Sequence, residues 1–180
     1  MGKCVSKDIN KSNDNILDDD ISGKIRGVSQ PEDERLRELD ITSVPNVILE
    51  NQMVRARVID VYDGDTITVV FFIDNTPIQY KIRLNGIDTP EIRRGKGKLK
   101  AEKIAGKKCR DFLYSILHDQ IVNILIHDWD KYGGRLLADV YTDFNTNISN
   151  LMMNHGYAIK YDGGKKHKWT RSELISIIYI

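Results

Sequence analysis

The feature that most constrains the fold is a strict alternation of apolar and polar residues over positions 78–85. The apolar residues occupy every second position: Ile78, Tyr80, Ile82 and Leu84. Neighbouring side chains of an extended strand point to opposite faces, so this pattern predicts a strand that buries one face. Arg83 lies on the polar face, and its side chain is therefore predicted to point toward solvent or a ligand.

Other stretches have the β-branched and aromatic composition of strands. They cover residues 54–62, 66–72, 121–126 and 135–141. Apolar residues recur at helical spacing in three further stretches, which cover residues 98–117, 147–155 and 170–180, the last being helical or mixed. Cys109 lies on the apolar stripe of the first of these helices, which predicts a small core residue. Consecutive strands with interleaved helices indicate a small α+β domain built on a closed or partly closed barrel.

Composition limits the class of protein. The 180 residues are 41% hydrophobic and 29% charged, as is usual for a soluble globular protein, and they suffice for one domain plus an appendage. No apolar run approaches the ~20 residues that a membrane-spanning helix needs. The two cysteines, Cys4 and Cys109, cannot supply a disulfide framework or a four-ligand zinc site.

The formal net charge of +1 conceals an uneven distribution. Residues 1–53 hold 7 basic and 11 acidic groups, whereas residues 54–180 hold 20 basic and 15 acidic groups. This asymmetry predicts an acidic N-terminal tether (1–53), followed by a basic domain (54–169) and a helical tail (170–180). The first 28 residues have too little apolar surface to offset the entropy of ordering, so disorder is expected there. A capping-box pattern from Ser29 to Glu32 predicts a short helix near 30–40.

Three polar clusters carry side chains suited to a phosphate and a hard cation. They cover residues 63–66, 83–91 and 130–135. Carboxylate and carbonyl oxygens suit Ca²⁺ or Mg²⁺, and the planar fork of arginine matches phosphate oxygens. A spare glutamate can orient or deprotonate a water molecule. Each cluster alone is more often an ordinary turn or a solvated surface arginine, and only the joint pattern indicates a site.

The stretch from about Val54 to Trp169 resembles the staphylococcal nuclease (thermonuclease) family. The matching motifs are Asp63-Gly64-Asp65-Thr66, Arg83-Leu84, Ile87-Asp88-Thr89-Pro90-Glu91, Asp130-Lys131-Tyr132-Gly133-Gly134-Arg135, and Gly156-Tyr157-Ala158 before Tyr161. Their order and spacing agree with the family across roughly two thirds of the chain. The resemblance implies a five-stranded OB-fold β-barrel with about three helices, in the α+β class.

The resemblance also implies an activity and a cofactor. The expected protein is a monomeric, Ca²⁺-dependent nuclease that hydrolyses phosphodiester bonds of DNA and RNA with little sequence specificity. One Ca²⁺ ion would be bound by the carboxylates of Asp65 and Asp88 and by the backbone carbonyl of Thr89. Asp63 would lie beside this site without coordinating the ion.

The resemblance assigns the chemical step to three further residues. Glu91 would be the general base, or would position the attacking water, and Arg83 and Arg135 would hold the scissile phosphate. The attack would be in line on phosphorus and would expel the 5′-oxygen, leaving a 3′-phosphate. The main alternative is a non-catalytic module that binds nucleic acid or protein, and the presence of all these side chains favours the enzyme.

Substrate-binding residues are implied as well. Tyr161 matches a family tyrosine that stacks on a base, and the alternative is a partly buried surface tyrosine. Lys131 and Tyr132 match family residues near the nucleotide, although this chain has an extra glycine before Arg135. The basic run over 165–168 offers a phosphate track.

The N-terminus fits a lipidation pattern. Gly2 follows Met1, and Ser6 completes the Met-Gly-x-x-x-Ser/Thr motif for N-myristoylation, with Cys4 placed for S-palmitoylation. Two acyl chains would give stable peripheral attachment to a membrane surface. The chain is then expected on the cytoplasmic face of a membrane, and otherwise in the cytoplasm, since the pattern can also arise by chance.

Overall fold

The computed structural model describes residues 37–38, 40, 42, 49–93, 100–130, 133–142 and 146–180. The chain divides into two compact units, 1–47 and 48–180, and every element named below belongs to the second. Of the helix expected near 30–40, residues 37, 38 and 40 are described; 37 and 38 are helical, and Asp40 is not. The expected lipidation residues Gly2 and Cys4 lie outside the described residues.

The second unit is built on a closed barrel of five strands. The strands of the unit are β1 (Met53–Val61), β2 (Thr66–Ile73), β3 (Thr76–Leu84), β4 (Ile87–Asp88), β5 (Ile121–Trp129), β6 (Leu136–Tyr141) and β7 (Ile159–Lys160). The order around the barrel is β1-β2-β3-β6-β5, in which β3 and β6 run parallel and the other pairs described here are antiparallel. The predicted five-stranded OB-type barrel is confirmed.

Three helices accompany the barrel, as the sequence predicts. They are α1 (Lys100–Leu117), α2 (Ile148–Asn154) and α3 (Arg171–Ile178). The apolar stripe of α1 is buried, including Cys109, whose thiol donates to the carbonyl of Tyr157 at 3.1 Å. α3 packs against α1 and buries Leu174 and Ile177. Among the described residues, no helix has the length and apolar character needed to cross a membrane.

The burial pattern of β3 follows the alternation in the sequence. Ile82 and Leu84 are fully buried in the barrel core, whereas Lys81 is exposed on the opposite face. Burying such aliphatic side chains stabilises the fold by roughly 1.5–3 kcal/mol each relative to exposure. The barrel therefore fixes the direction in which Arg83, on the polar face, leaves the strand.

The two shortest strands lie outside the barrel and have no signal in the sequence pattern. β4 pairs with β7, which matches Ile87 with Lys160 and Asp88 with Ile159. Two residues are too few for any hydrophobic period to be visible. This small sheet brings the segment that follows α2 alongside Asp88.

Candidate active site

An open cavity of about 1000 Å³ collects side chains from all three polar clusters. Its walls include Asp63, Asp65, Arg83, Glu91 and Arg135, together with Tyr161 and Lys166 from the segment after β7. Two other residues expected at the site, Asp88 and Thr89, are buried at 0% and 3% exposure. Lys131 and Tyr132 lie outside the described residues.

The turn between β1 and β2 places Asp65 against the rest of the site. The backbone N–H of Asp65 donates to Asp63 Oδ1 at 3.2 Å, which closes the turn on itself. A Cβ atom on Gly64 would lie 2.7 Å from Cys109 Cβ and 2.8 Å from Thr89 Oγ1. A glycine is therefore required at this position because the turn is pressed between α1 and Thr89.

Negative charge is concentrated in this turn. Burial, followed by the charge of Asp65, raises the pKa of Asp63 to about 7. Two neighbouring carboxylates held apart from water resist carrying two charges. A cation bound beside Asp65 would relieve this repulsion and favour the ionised form of Asp63.

Arg83 connects the first two polar clusters. Its Nη1 donates to Asp65 Oδ2 at 2.7 Å, and its Nη2 donates to the carbonyl of Ile87 at 3.3 Å. Nη2 also lies 3.9 Å from Asp88 Oδ1. The guanidinium group therefore stands between the two carboxylates for which the family resemblance implies a metal ion.

Asp88 has a fully buried carboxylate. Neither Oδ1 nor Oδ2 has a hydrogen-bond partner among the described residues. Burial raises its pKa, an effect that the nearby charge of Lys166 partly opposes. Buried polar atoms are nearly always hydrogen-bonded, so oxygens in this condition suit a cation ligand.

The oxygen donors at the site meet part of what Ca²⁺ requires. Asp65 and Asp88 carry hard carboxylate oxygens on neighbouring segments, and Thr89 adds a backbone carbonyl next to Asp88. Within the described ranges, no group of three or more His, Cys, Asp or Glu side chains is placed to hold a metal ion. The residues therefore fit a Ca²⁺ ion as a partial set, because this ion accepts six to eight oxygen ligands, including water and substrate oxygens.

Glu91 is paired with a residue of the basic run over 165–168, for which the sequence predicts contact with phosphate rather than with Glu91. The ammonium group of Lys166 forms an ion pair with Glu91 Oε1, and the same nitrogen lies 3.4 Å from Asp88 Oδ1. In the sequence Lys166 is one of several basic residues near the C-terminus. Its placement depends on the β4–β7 pair and could not be found from spacing along the chain.

The backbone of Glu91 rests on α1. A Cβ atom on Gly106 would overlap the carbonyl oxygen of Pro90 and would lie 3.0 Å from the carbonyl carbon of Glu91. The helix approaches this closely because Gly106 has no side chain. Gly106 therefore determines how closely the segment that carries Glu91 approaches α1. Helical periodicity does not reveal this role.

Arg135 is held by two neighbours. Its Nε and Nη2 donate to Asp130 Oδ2, the former at 2.9 Å, and its Nη1 donates to Thr66 Oγ1 at 3.2 Å. Thr66 also donates to Asp65 Oδ1 at 2.9 Å. A short chain of hydrogen bonds thus links Arg135 to the turn that carries Asp65.

The extra glycine before Arg135 does not remove Arg135 from the cavity wall. Gly133 and Gly134 have φ of +71° and +76°, a region that other residues rarely adopt. The N–H of Asp130 donates to the carbonyl of Arg135 at 2.9 Å, and the N–H of Gly133 donates to the carbonyl of Asp130 at 2.7 Å. The loop is closed at its base, and Arg135 lines the cavity despite the insertion.

Tyr161 lies over the guanidinium group of Arg83. Its ring centroid is 5.8 Å from Arg83 Cζ, and its hydroxyl donates to the carbonyl of Gly164 at 2.8 Å. The N–H of Tyr161 donates to the carbonyl of Gly86, which extends the β4–β7 pairing by one bond. The ring is therefore fixed at the cavity wall beside Arg83.

Comparison with known proteins is consistent with this geometry. A family model described as staphylococcal nuclease homologue matches residues 81–177, more than half of the chain. The chain belongs to the staphylococcal nuclease homologue family. The range matched to staphylococcal nuclease homologues contains Arg83, Asp88, Glu91 and Arg135, whereas Asp65 precedes it.

Relatives in bacteria and plants share this similarity. An uncharacterized endonuclease of Escherichia coli O157:H7 is 29% identical over 109 residues, 61% of this chain. A probable staphylococcal-like nuclease of Oryza sativa subsp. japonica, CAN2, is 31% identical over 80 residues, 44% of this chain. The chain spans 62% of the length of the E. coli relative and 19% of the rice relative.

Proposed function

We propose that this chain is a Ca²⁺-dependent nuclease that hydrolyses phosphodiester bonds of DNA and RNA with little sequence specificity. One observation carries the proposal: two arginines and a glutamate line the same cavity as Asp65, with the buried Asp88 beside it. The E. coli and rice relatives are named as an endonuclease and a probable nuclease, which supports this class of reaction.

The two arginines bind the scissile phosphate. Arg83 uses part of its guanidinium group on Asp65 and Ile87, and its planar fork offers further N–H donors to phosphate oxygens. Arg135 is oriented by Asp130 and Thr66, so that its position does not depend on the substrate. Donors fixed in advance stabilise the charge that grows on the equatorial oxygens, and one such donor is worth ~3 kcal/mol.

Glu91 prepares the attacking water. Its carboxylate lines the cavity and accepts the proton of a water molecule whose oxygen forms the new bond to phosphorus. The bond to the 5′-oxygen breaks on the opposite side, and that oxygen takes up a proton from solvent as it leaves. The 3′-oxygen keeps the phosphate, so the products are a 3′-phosphate and a 5′-hydroxyl.

The carboxylates of Asp65 and Asp88 and the carbonyl of Thr89 are the groups that hold Ca²⁺. When bound, the ion supplies Lewis-acid polarisation of a phosphoryl oxygen. Asp63 lies next to Asp65 in the same turn and adds negative charge at this position when it is ionised. Asp63 does not coordinate the ion in this proposal.

The substrate range follows from which groups face the cavity. Arginine contacts with phosphate carry no sequence information, and stacking of a base on Tyr161 accepts any base. Lys131 and Tyr132, in the loop before Arg135, are assigned to the neighbouring nucleotide. These contacts suit single strands of either sugar type and require one copy of the chain.

The experiment that tests this function is a cleavage assay on single-stranded DNA and RNA. Labelled oligonucleotides are incubated with the purified chain in CaCl₂ or in EDTA, and the products are treated with a phosphatase that removes 3′-phosphates. Cleavage of both substrates in CaCl₂ only, with products that shift on phosphatase treatment, is the expected result. Binding of the oligonucleotides without cleavage in either buffer would establish the non-catalytic module instead.

We also propose that acyl chains on Gly2 and Cys4 attach the chain to the cytoplasmic face of a membrane. The support is the N-terminal motif alone. Expression in eukaryotic cells with an alkyne-labelled myristate should label the wild type and should not label Gly2→Ala. Equal labelling of both proteins, or a wild type recovered wholly in the cytosolic fraction, contradicts the proposal.

A further inference from the structure

Tyr62 is a second aromatic residue on the wall of the same cavity. It directly precedes Asp63, and its backbone N–H donates to the carbonyl of Thr66 at 2.9 Å, which fixes it to the start of β2. The residue is 40% exposed, so part of its surface is accessible to a ligand. The nuclease mechanism proposed above uses no contact from this residue.

Two cationic side chains lie against the Tyr62 ring. Lys81 Nζ is 5.6 Å from the ring centroid, and Arg93 Cζ is 5.4 Å from it. These distances are within the range of cation–π interactions. Tyr62 and the two cations lie at the edge of a cavity that is rich in carboxylates. Their positive charges are placed to contact an anionic ligand there.

Lys81 and Arg83 belong to one line of positive charge. They occupy alternate positions of β3 and thus lie on the same face, about 6.6 Å apart along a strand that rises about 3.3 Å per residue. Arg83 points to the proposed scissile phosphate, and Lys81 is the next cation along the strand. The basic line therefore leaves the cavity in the direction of Tyr62.

We propose that Tyr62, Lys81 and Arg93 form a separate nucleotide subsite, in which a base stacks on the Tyr62 ring and its phosphate contacts Lys81 and Arg93. The subsite rests on the proposed nuclease function and binds a nucleotide neighbouring the one that is cleaved. Stacking on an aromatic ring accepts any base, and lysine and arginine neutralise backbone phosphates. The ligand class is single-stranded nucleic acid, and the site adds to the contact made by Tyr161.

Binding of a fluorescein-labelled decathymidylate in EDTA, followed by anisotropy, tests the subsite without cleavage. Tyr62→Leu should weaken the Kd by about 5- to 30-fold, and Tyr62→Phe should stay within about twofold of the wild type because the ring is retained. Tyr179→Leu is the matched control, since Tyr179 is 83% exposed and does not line the cavity. Thermal melts of each variant establish that it is folded.

Two further measurements separate stacking from a general loss of structure. A series of oligonucleotides, each with one abasic site at a different position, is bound to both proteins. At one position of the abasic site, the difference in Kd between wild type and Tyr62→Leu should disappear. Lys81→Gln should reduce the slope of log Kd against log salt by about 0.7, the value for one phosphate on a single strand. A Tyr62→Leu variant that binds every oligonucleotide as the wild type does would overturn the subsite alone. A wild type that neither binds nor cleaves nucleic acid would overturn the nuclease function with it.

Discussion

The ammonium group of Lys166 bridges the carboxylates of Glu91 and Asp88, forming an ion pair with the first and lying 3.4 Å from Oδ1 of the second. One cationic side chain thus contacts both the proposed base and a proposed ligand of Ca²⁺. Burial alone would lower the pKa of Lys166, but its hydrogen bond to Glu91 and the charges of Asp88 and Glu91 raise it. Lys166 is therefore held in its charged form beside Asp88.

A first prediction concerns this bridge. Lys166→Met should tighten Ca²⁺ binding by about tenfold, because a positive charge close to Asp88 opposes a second cation there. Isothermal titration with CaCl₂ measures the change directly and does not depend on cleavage. Lys165→Met, at an exposed neighbouring position, serves as the control and should leave the affinity as it is. Weaker binding in Lys166→Met would contradict the competition between the two cations.

A second prediction concerns Asp88 and the effect of removing the metal. Ca²⁺ at about 100 times its Kd should stabilise the wild type by about 2.7 kcal/mol relative to the protein in EDTA. Asp88→Asn should lose most of this gain, because the buried carboxylate is replaced by a weaker, neutral ligand. Urea unfolding with and without CaCl₂ gives the difference. Asp111→Asn, on the exposed side of α1, should keep the full gain.

A third prediction tests the packing of α1 beneath the site. Gly106→Ala should destabilise the fold by about 1–3 kcal/mol, because the new methyl group overlaps the backbone of Pro90 and Glu91. It should also lower the cleavage rate at saturating substrate, since the Glu91 segment must move. Gly86→Ala tests an open position, where nothing lies within 4 Å of an added Cβ although φ is +79°. A Gly106→Ala protein with wild-type stability and rate would show that this close approach has no effect on Glu91.

A fourth prediction concerns stability in acid. The backbone N–H and the hydroxyl of Thr170 donate to the Glu173 carboxylate at 2.7 and 2.8 Å, closing the capping box of α3. These bonds, with a contribution from His167, lower the pKa of Glu173 to about 2 from its ordinary 4.5. A lowered folded-state pKa contributes stability that is complete above the unfolded value and is lost as the pH falls toward the folded value.

The free energy of unfolding should therefore fall between about pH 5 and pH 2 through this group. Glu173→Gln keeps a side chain suited to the capping box but cannot titrate. The difference in the free energy of unfolding between the two proteins should therefore shrink as the pH falls from about 5 to about 2. Urea unfolding of both proteins at intervals of pH measures that difference. A difference that stays constant from pH 6 to pH 2 would exclude the contribution of Glu173.

The barrel could be predicted from the sequence because its strands follow a local alternation of apolar and polar residues. Alternation over residues 78–85 predicts both the buried face of β3 and the outward direction of Arg83, and both are observed. The apolar stripe of α1 likewise places Cys109 in the core. In each case the period of the pattern matches the geometry of one element, so the chain outside that element is not needed.

The site depended on contacts that no local pattern records. The pairing of β4 with β7 brings Lys166 to Glu91, although 75 positions separate the two residues. Gly106 reads as an ordinary small residue of a helix until the backbone of Pro90 is placed against it. Motif resemblance named Asp65, Arg83 and Arg135, and the structure brings these three to one cavity. Their surroundings emerge only from the folded chain.

The central claim is that Glu91 activates the attacking water. The most direct measurement is the rate of cleavage of a labelled single-stranded oligonucleotide in CaCl₂ by wild type and Glu91→Gln, with binding in EDTA measured for both. The rate should be about 10²- to 10⁴-fold lower in Glu91→Gln, with binding retained, because the amide cannot accept the proton of water. Wild-type cleavage by Glu91→Gln would contradict this claim.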